Sequence, residues 1–155
     1  MSKLRATNTA QNVKSIVFEW NYNDTMLDVD GVETELGTNS GESVVDGVAT
    51  FVIGYLPKGA RIIGGEVARQ VAFDTAGYDI TVGDLDDDDE YLTSTDIKAA
   101  GVTALVPTGL EPSTENTRTI VMTLASDDVC TTGKAYVRVD YVVPGRSDEV
   151  THPGA

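Results

Sequence analysis

The sequence is poor in the side chains that run reactions. It holds one cysteine, Cys130, and one histidine, His152. A single cysteine excludes an intrachain disulfide framework and the multi-cysteine zinc sites. The lone histidine sits in a polar terminal stretch. Cys130, Ser126, Thr131 and Thr132 are thus left without the base a nucleophile needs. Cationic residues are also scarce, with 11 Lys and Arg against 25 Asp and Glu and a formal net charge of −14. Such a balance favours solubility and repels phosphate backbones. Nucleic acid is therefore not an expected partner, whereas a cationic protein surface is. No apolar run reaches the roughly 18 residues of a membrane-spanning helix. The start, Met1-Ser2-Lys3-Leu4-Arg5, is positive but has no apolar stretch behind it. No cleaved signal peptide is expected, and synthesis falls in the cytoplasm.

What the chain does have is strand after strand. The apolar fraction is 41% over 155 residues, enough for one domain with a core. Residues 1–12 are polar and read as an N-terminal arm. Val13 to Tyr22 alternates, with Ile16, Phe18, Trp20 and Tyr22 on one face. Residues 23–47 break the pattern with seven acids and no Lys or Arg. Asp28 to Leu36 within that excursion can form a short hairpin or edge strand. Val48 to Leu56 is the next strand, with Phe51, Ile53 and Tyr55 on one face. In Arg61 to Phe73, Val67, Val71 and Phe73 share a face, and Gly64-Gly65 marks a bulge or bend.

Tyr78 to Val82 is a further short strand. Thr93-Ser94-Thr95-Asp96 reads as a helix start, with a turn or two over Ile97 to Ala100 and a stop at Gly101. Thr117 to Ala125 and Lys134 to Val143 close the domain, joined through 126–133 as a long-looped hairpin. Residues 13–144 then form one domain, and 145–155 a polar tail. The expected class is all-β, an antiparallel sandwich or jelly roll with at most one short helix.

Candidate chemistry is thin. Asp84, Asp86, Asp88 and Glu90 alternate as Ca²⁺ ligands can, but Asp89 stands where an EF-hand loop needs Gly and Thr95 where it needs the bidentate Glu. A solvated loop is the plainer reading. Glu19 and Glu66 lie on strands, yet the sequence does not bring them together as a glycosidase pair. The aromatics Phe18, Trp20, Phe51, Tyr55 and Phe73 could line a sugar-binding face, although their period of two makes them core first. We assign no catalytic, cofactor-binding or metal-binding residue, and no enzymatic activity.

The order of segments carries a resemblance. Leu56-Pro57-Lys58-Gly59-Ala60-Arg61-Ile62-Ile63-Gly64-Gly65-Glu66-Val67 leads to Tyr78-Asp79-Ile80-Thr81-Val82-Gly83-Asp84, an acidic loop and Tyr91-Leu92. Thr95 to Gly101 follows, and Gly133 to Val143 ends the succession. This resembles small virion structural proteins of tailed bacteriophages, of the capsid decoration or head cement kind, over residues 47–143. The resemblance implies a β-rich domain on the outer surface of the virion head, as a homotrimer bridging subunits of the major capsid protein. It carries no site residues. Lys3 and Arg5 make the arm the one locally cationic segment, able to lie along the capsid or a neighbouring protomer. The competing expectations are a tail, collar or head-fibre component, or a carbohydrate-binding β-sandwich.

Overall fold

A computed structural model describes residues 12–37, 47–107 and 117–143. Residues 1–11 of the 1–12 arm, the stretches 38–46 and 108–116, and residues 144–155 with His152 lie outside the described residues. Ten strands are described: β1 (Lys14–Asn21), β2 (Thr25–Leu27), β3 (Glu33–Glu35), β4 (Val48–Pro57), β5 (Arg61–Val71), β6 (Tyr78–Asp84), β7 (Leu92–Asp96), β8 (Gly101–Ala104), β9 (Thr117–Ser126) and β10 (Lys134–Val142). Two four-stranded antiparallel sheets run β1-β10-β5-β8 and β4-β9-β6-β7, and β2-β3 forms a separate hairpin. With that hairpin set aside, the first strand pairs the last, the second the seventh, the third the sixth and the fourth the fifth. This nested pairing is a jelly roll, built of two Greek keys.

The inward faces follow the alternation read from the sequence. Trp20, Val67, Val137 and Val139 from the first sheet meet Phe51, Ile80, Ile120 and Met122 from the second in one core. Burying each such side chain contributes about 1.5–3 kcal/mol. Phe18, Trp20, Phe73 and Tyr78 stack in series, with ring centroids 6.0, 6.5 and 4.2 Å apart. Trp20 Nε1 donates to Tyr78 Oη at 3.2 Å, and the Tyr78 hydroxyl donates to the Leu36 carbonyl at 2.6 Å. The chain thereby satisfies two buried polar groups and ties the acidic excursion to the core. The excursion itself forms the β2–β3 hairpin. Its Val29 amide reaches the Thr50 carbonyl on the edge of β4.

Four expectations need correction. The segment 93–100 is no helix: Thr93 to Asp96 lies in β7, paired to β6, and Asp96 Oδ1 caps the following turn at the Lys98 amide. Its β-branched threonines and the open edge of β6 outweigh the local capping signal. The segment 126–133 is no hairpin loop, because β9 and β10 belong to opposite sheets and it crosses between them. Tyr55 does not share the inward face of Phe51 and Ile53. The register slips between Val52 and Gly54, which turns Leu56 inward and leaves Tyr55 63% exposed. Val71 is likewise exposed, since a register shift opposite Lys134 and Ala135 separates it from Val67. The expected irregularity at Gly64-Gly65 is present: the register with β10 shifts there, between Asp140 and Tyr141.

Candidate interaction surfaces

The residues that could carry chemistry are dispersed or already occupied. Glu19 and Glu66 both reach the outer face of the first sheet, each bound to cations or donors. Lys134 Nζ lies 3.1 Å from Glu19, while Glu66 accepts from Tyr136 Oη at 2.6 Å and pairs with Arg138 at 3.2 Å. Arg138 also binds Asp140 at 3.1 Å, and Ser15 donates to the same carboxylate. The two glutamates stand on β1 and β5, with β10 between them. Cys130 lies in the connection between β9 and β10 and is buried there, and burial raises its pKa.

The acidic loop 84–90 is wired to itself and to the second sheet. Asp84 Oδ1 accepts from the Asp86 and Asp87 amides at 2.9 and 3.0 Å. Its other oxygen meets Arg118 Nε at 2.9 Å, and Arg118 reaches Glu90 at 3.5 Å. Thr123 donates to Asp88 at 2.9 Å, so the 2.8 Å contact between Thr50 and Thr123 has Thr50 as donor. Gly83 permits this fold-back, because a Cβ there would strike the Asp87 carbonyl and the Asp88 backbone. Asp89 is held above the usual carboxylate range by a shared hydrogen bond with Asp87, and burial raises Glu90 despite Arg118. Among the described residues no three His, Cys, Asp or Glu gather as a metal site. Asp84, Asp88 and Glu90 thus each have a polar partner within the domain. An open groove of about 450 Å³ runs beside it, between Asp87, Asp89, Glu90, Thr93 and Val106.

The cations are grouped in a way the sequence did not reveal. The first sheet's strands carry Lys14, Arg61, Arg69, Lys134 and Arg138 against Glu19, Glu66 and Asp140. The second sheet's strands carry Arg118 against Asp79, Asp84 and Asp96. The first sheet is therefore cationic within a strongly anionic chain. Lys3 and Arg5 are not the sole local concentration of positive charge. Pairing along β1, β10 and β5 brings Lys14 and Arg61 to one end of that sheet, where the turn holding Lys58 also lies.

The aromatic platform expected of a sugar binder is turned inward. Trp20, Phe51 and Phe73 are buried in the core, and Tyr55 alone of the five named aromatics is exposed.

These features define a jelly-roll domain whose distinguishing parts are surfaces. No family model and no curated protein matches the sequence. Three solved structures are similar in fold. One is a chain of the cyanophage Pam1 capsid asymmetric unit, with a TM-score of 0.60 and 18% identity over 92% of this chain and 94% of that one. Another comes from the acidic stable capsid of Helicobacter pylori bacteriophage KHP30, at 0.58 and 15% over 88% and 93%. The third belongs to the capsid of Ralstonia phage GP4, at 0.53 and 14% over 94% and 93%. At such identities the likeness establishes the shared fold.

Proposed function

We propose that this chain is a non-enzymatic virion structural protein. It decorates a tailed-phage head from outside and stabilises it by bridging subunits of the major capsid protein, as a homotrimer. The observation that carries this reading is the near end-to-end fold match to chains of three phage capsid structures. The charge distribution supports it: an acidic outer protein avoids packaged DNA, and a cationic sheet gives it a surface for anionic protein. Many weak contacts, multiplied by symmetry, would supply the cementing effect.

The test is to mix purified protein with capsids, pellet them and image the complex by cryo-electron microscopy. Saturable density on the outer shell at its local symmetry axes is the expected result. Failure to bind intact heads would overturn the decoration reading and favour a tail, collar or head-fibre component.

A further inference from the structure

We infer that the open groove beside the acidic turn seats this chain's own N-terminal arm, with Lys3 and Arg5 against Asp87 and Asp89 and Leu4 over Val106. The groove is one continuous depression of about 450 Å³, lined by Asp87, Asp89, Glu90, Leu92, Thr93 and Val106 among others. It joins an apolar part to an acidic part. Val106 is 67% exposed and is held beside the turn, because its amide donates to the Tyr91 carbonyl at 2.8 Å. Asp87 and Asp89 are exposed and make no ion pair among the described residues, since Arg118 is taken up by Asp84 and Glu90. The Asp84 carboxylate fixes the turn through the Asp86 and Asp87 amides, so little ordering is needed on contact.

Charge and reach select the occupant. Of the stretches outside the described residues, 1–11 holds Lys3 and Arg5 and no acid. The stretches 38–46 and 108–116 hold acids and no Lys or Arg, and 144–155 sets Arg146 against Asp148 and Glu149. The arm is therefore the stretch whose net charge complements a carboxylate-bearing groove. In an extended segment alternate side chains share a side, so Lys3 and Arg5 can face the turn while Leu4 faces Val106. The arm also enters at the right end of the sandwich. Lys14 aligns through Tyr141 with Ile62 on β5, and the Leu105 amide, one residue before Val106, donates to Gly65 on the same strand. β1 and β8 are the two edges of one sheet, three strand spacings or about 14 Å apart, and the second sheet lies about 10 Å away. The nine residues from Leu4 to Asn12 span up to about 30 Å when extended. One chain thus reaches its own groove, and tethering favours its own arm over a neighbour's. The inference goes beyond the proposed function and does not require capsid binding.

Paramagnetic NMR of the full chain tests it, with a nitroxide on Ser2→Cys while Cys130 stays buried. The amide signals of Asp89, Leu92 and Val106 should lose intensity at low salt and regain it at high salt. Lys3→Glu combined with Arg5→Glu should abolish that loss. This pair changes no described residue, so circular dichroism should show the strand content intact. Adding Asp87→Lys and Asp89→Lys, both at exposed positions, should restore the loss. Undiminished signals in the labelled chain, a loss that survives the charge reversal, or no restoration in a folded charge-swapped chain would overturn the contact. Mixing a nitroxide-bearing chain with a separate isotope-labelled one should leave the groove signals unchanged. A loss in that mixture would put the arm on a neighbouring copy and overturn the intramolecular seat. Failure to pellet with capsids would remove the capsid reading and leave this contact standing.

Discussion

At the scale of residues, two side chains have defined, testable duties. Tyr78 accepts from Trp20 and donates to Leu36, so Tyr78→Phe strands an indole N–H and a carbonyl in the core. The expected loss is about 1–3 kcal/mol, read by urea denaturation. Asp74 accepts from the Thr131 amide and hydroxyl and the Thr132 amide, which hold its pKa at about 2 against an ordinary 3.8. A carboxylate depressed on folding stabilises above its ordinary value, and that stabilisation fades as pH falls towards about 2. Asp89 and Glu90 are raised, so their preference for the folded state is present at low pH and is lost as pH rises through their raised values. Thermal unfolding followed from neutral pH downward should therefore show Asp74→Asn losing less stability than wild type in the most acidic range.

At the scale of elements, the acidic loop depends on a glycine. Gly83→Ala would force the Asp87 carbonyl off the strand and loosen the Thr123–Asp88 bond. The expected cost is about 1–3 kcal/mol, with earlier amide exchange across 84–90 as the readout. Long alternating strands were legible in the sequence, because β1, β9 and β10 each keep one apolar face over eight to ten residues. The short edge strands β7 and β8 were not. Leu92–Asp96 has few apolar residues, and its strand conformation comes from pairing with β6, a tertiary effect absent from local pattern. Tyr55 and Val71 were misplaced for a related reason: one inserted residue reverses every later side chain, and ladder register is set between strands.

At the scale of the whole molecule, the candidate site was the least legible part. Lys14 and Arg61 are far apart in sequence and meet at one end only through the pairing of β1, β10 and β5. The seven-residue acidic run was visible at once, while its wiring by Arg118 and Thr123 required the fold. Under the proposed function, removing residues 1–12, which hold Lys3 and Arg5, should weaken capsid binding and leave the strand content of the domain intact. Co-pelleting against capsids, with circular dichroism as the control, would measure both; unchanged affinity would refute a role for the arm.

The nested pairing also dictates when the molecule can exist. β10 lies between β1 and β5, and Ser15 meets Asp140 across 125 positions of chain. A ribosome must therefore release nearly the whole domain before the first sheet can assemble, and until then β1 has no neighbour to pair with. Such distant closure places folding in the millisecond-to-second regime. A nascent chain stopped before Lys134 would present two unzipped edges and belong to the chaperones.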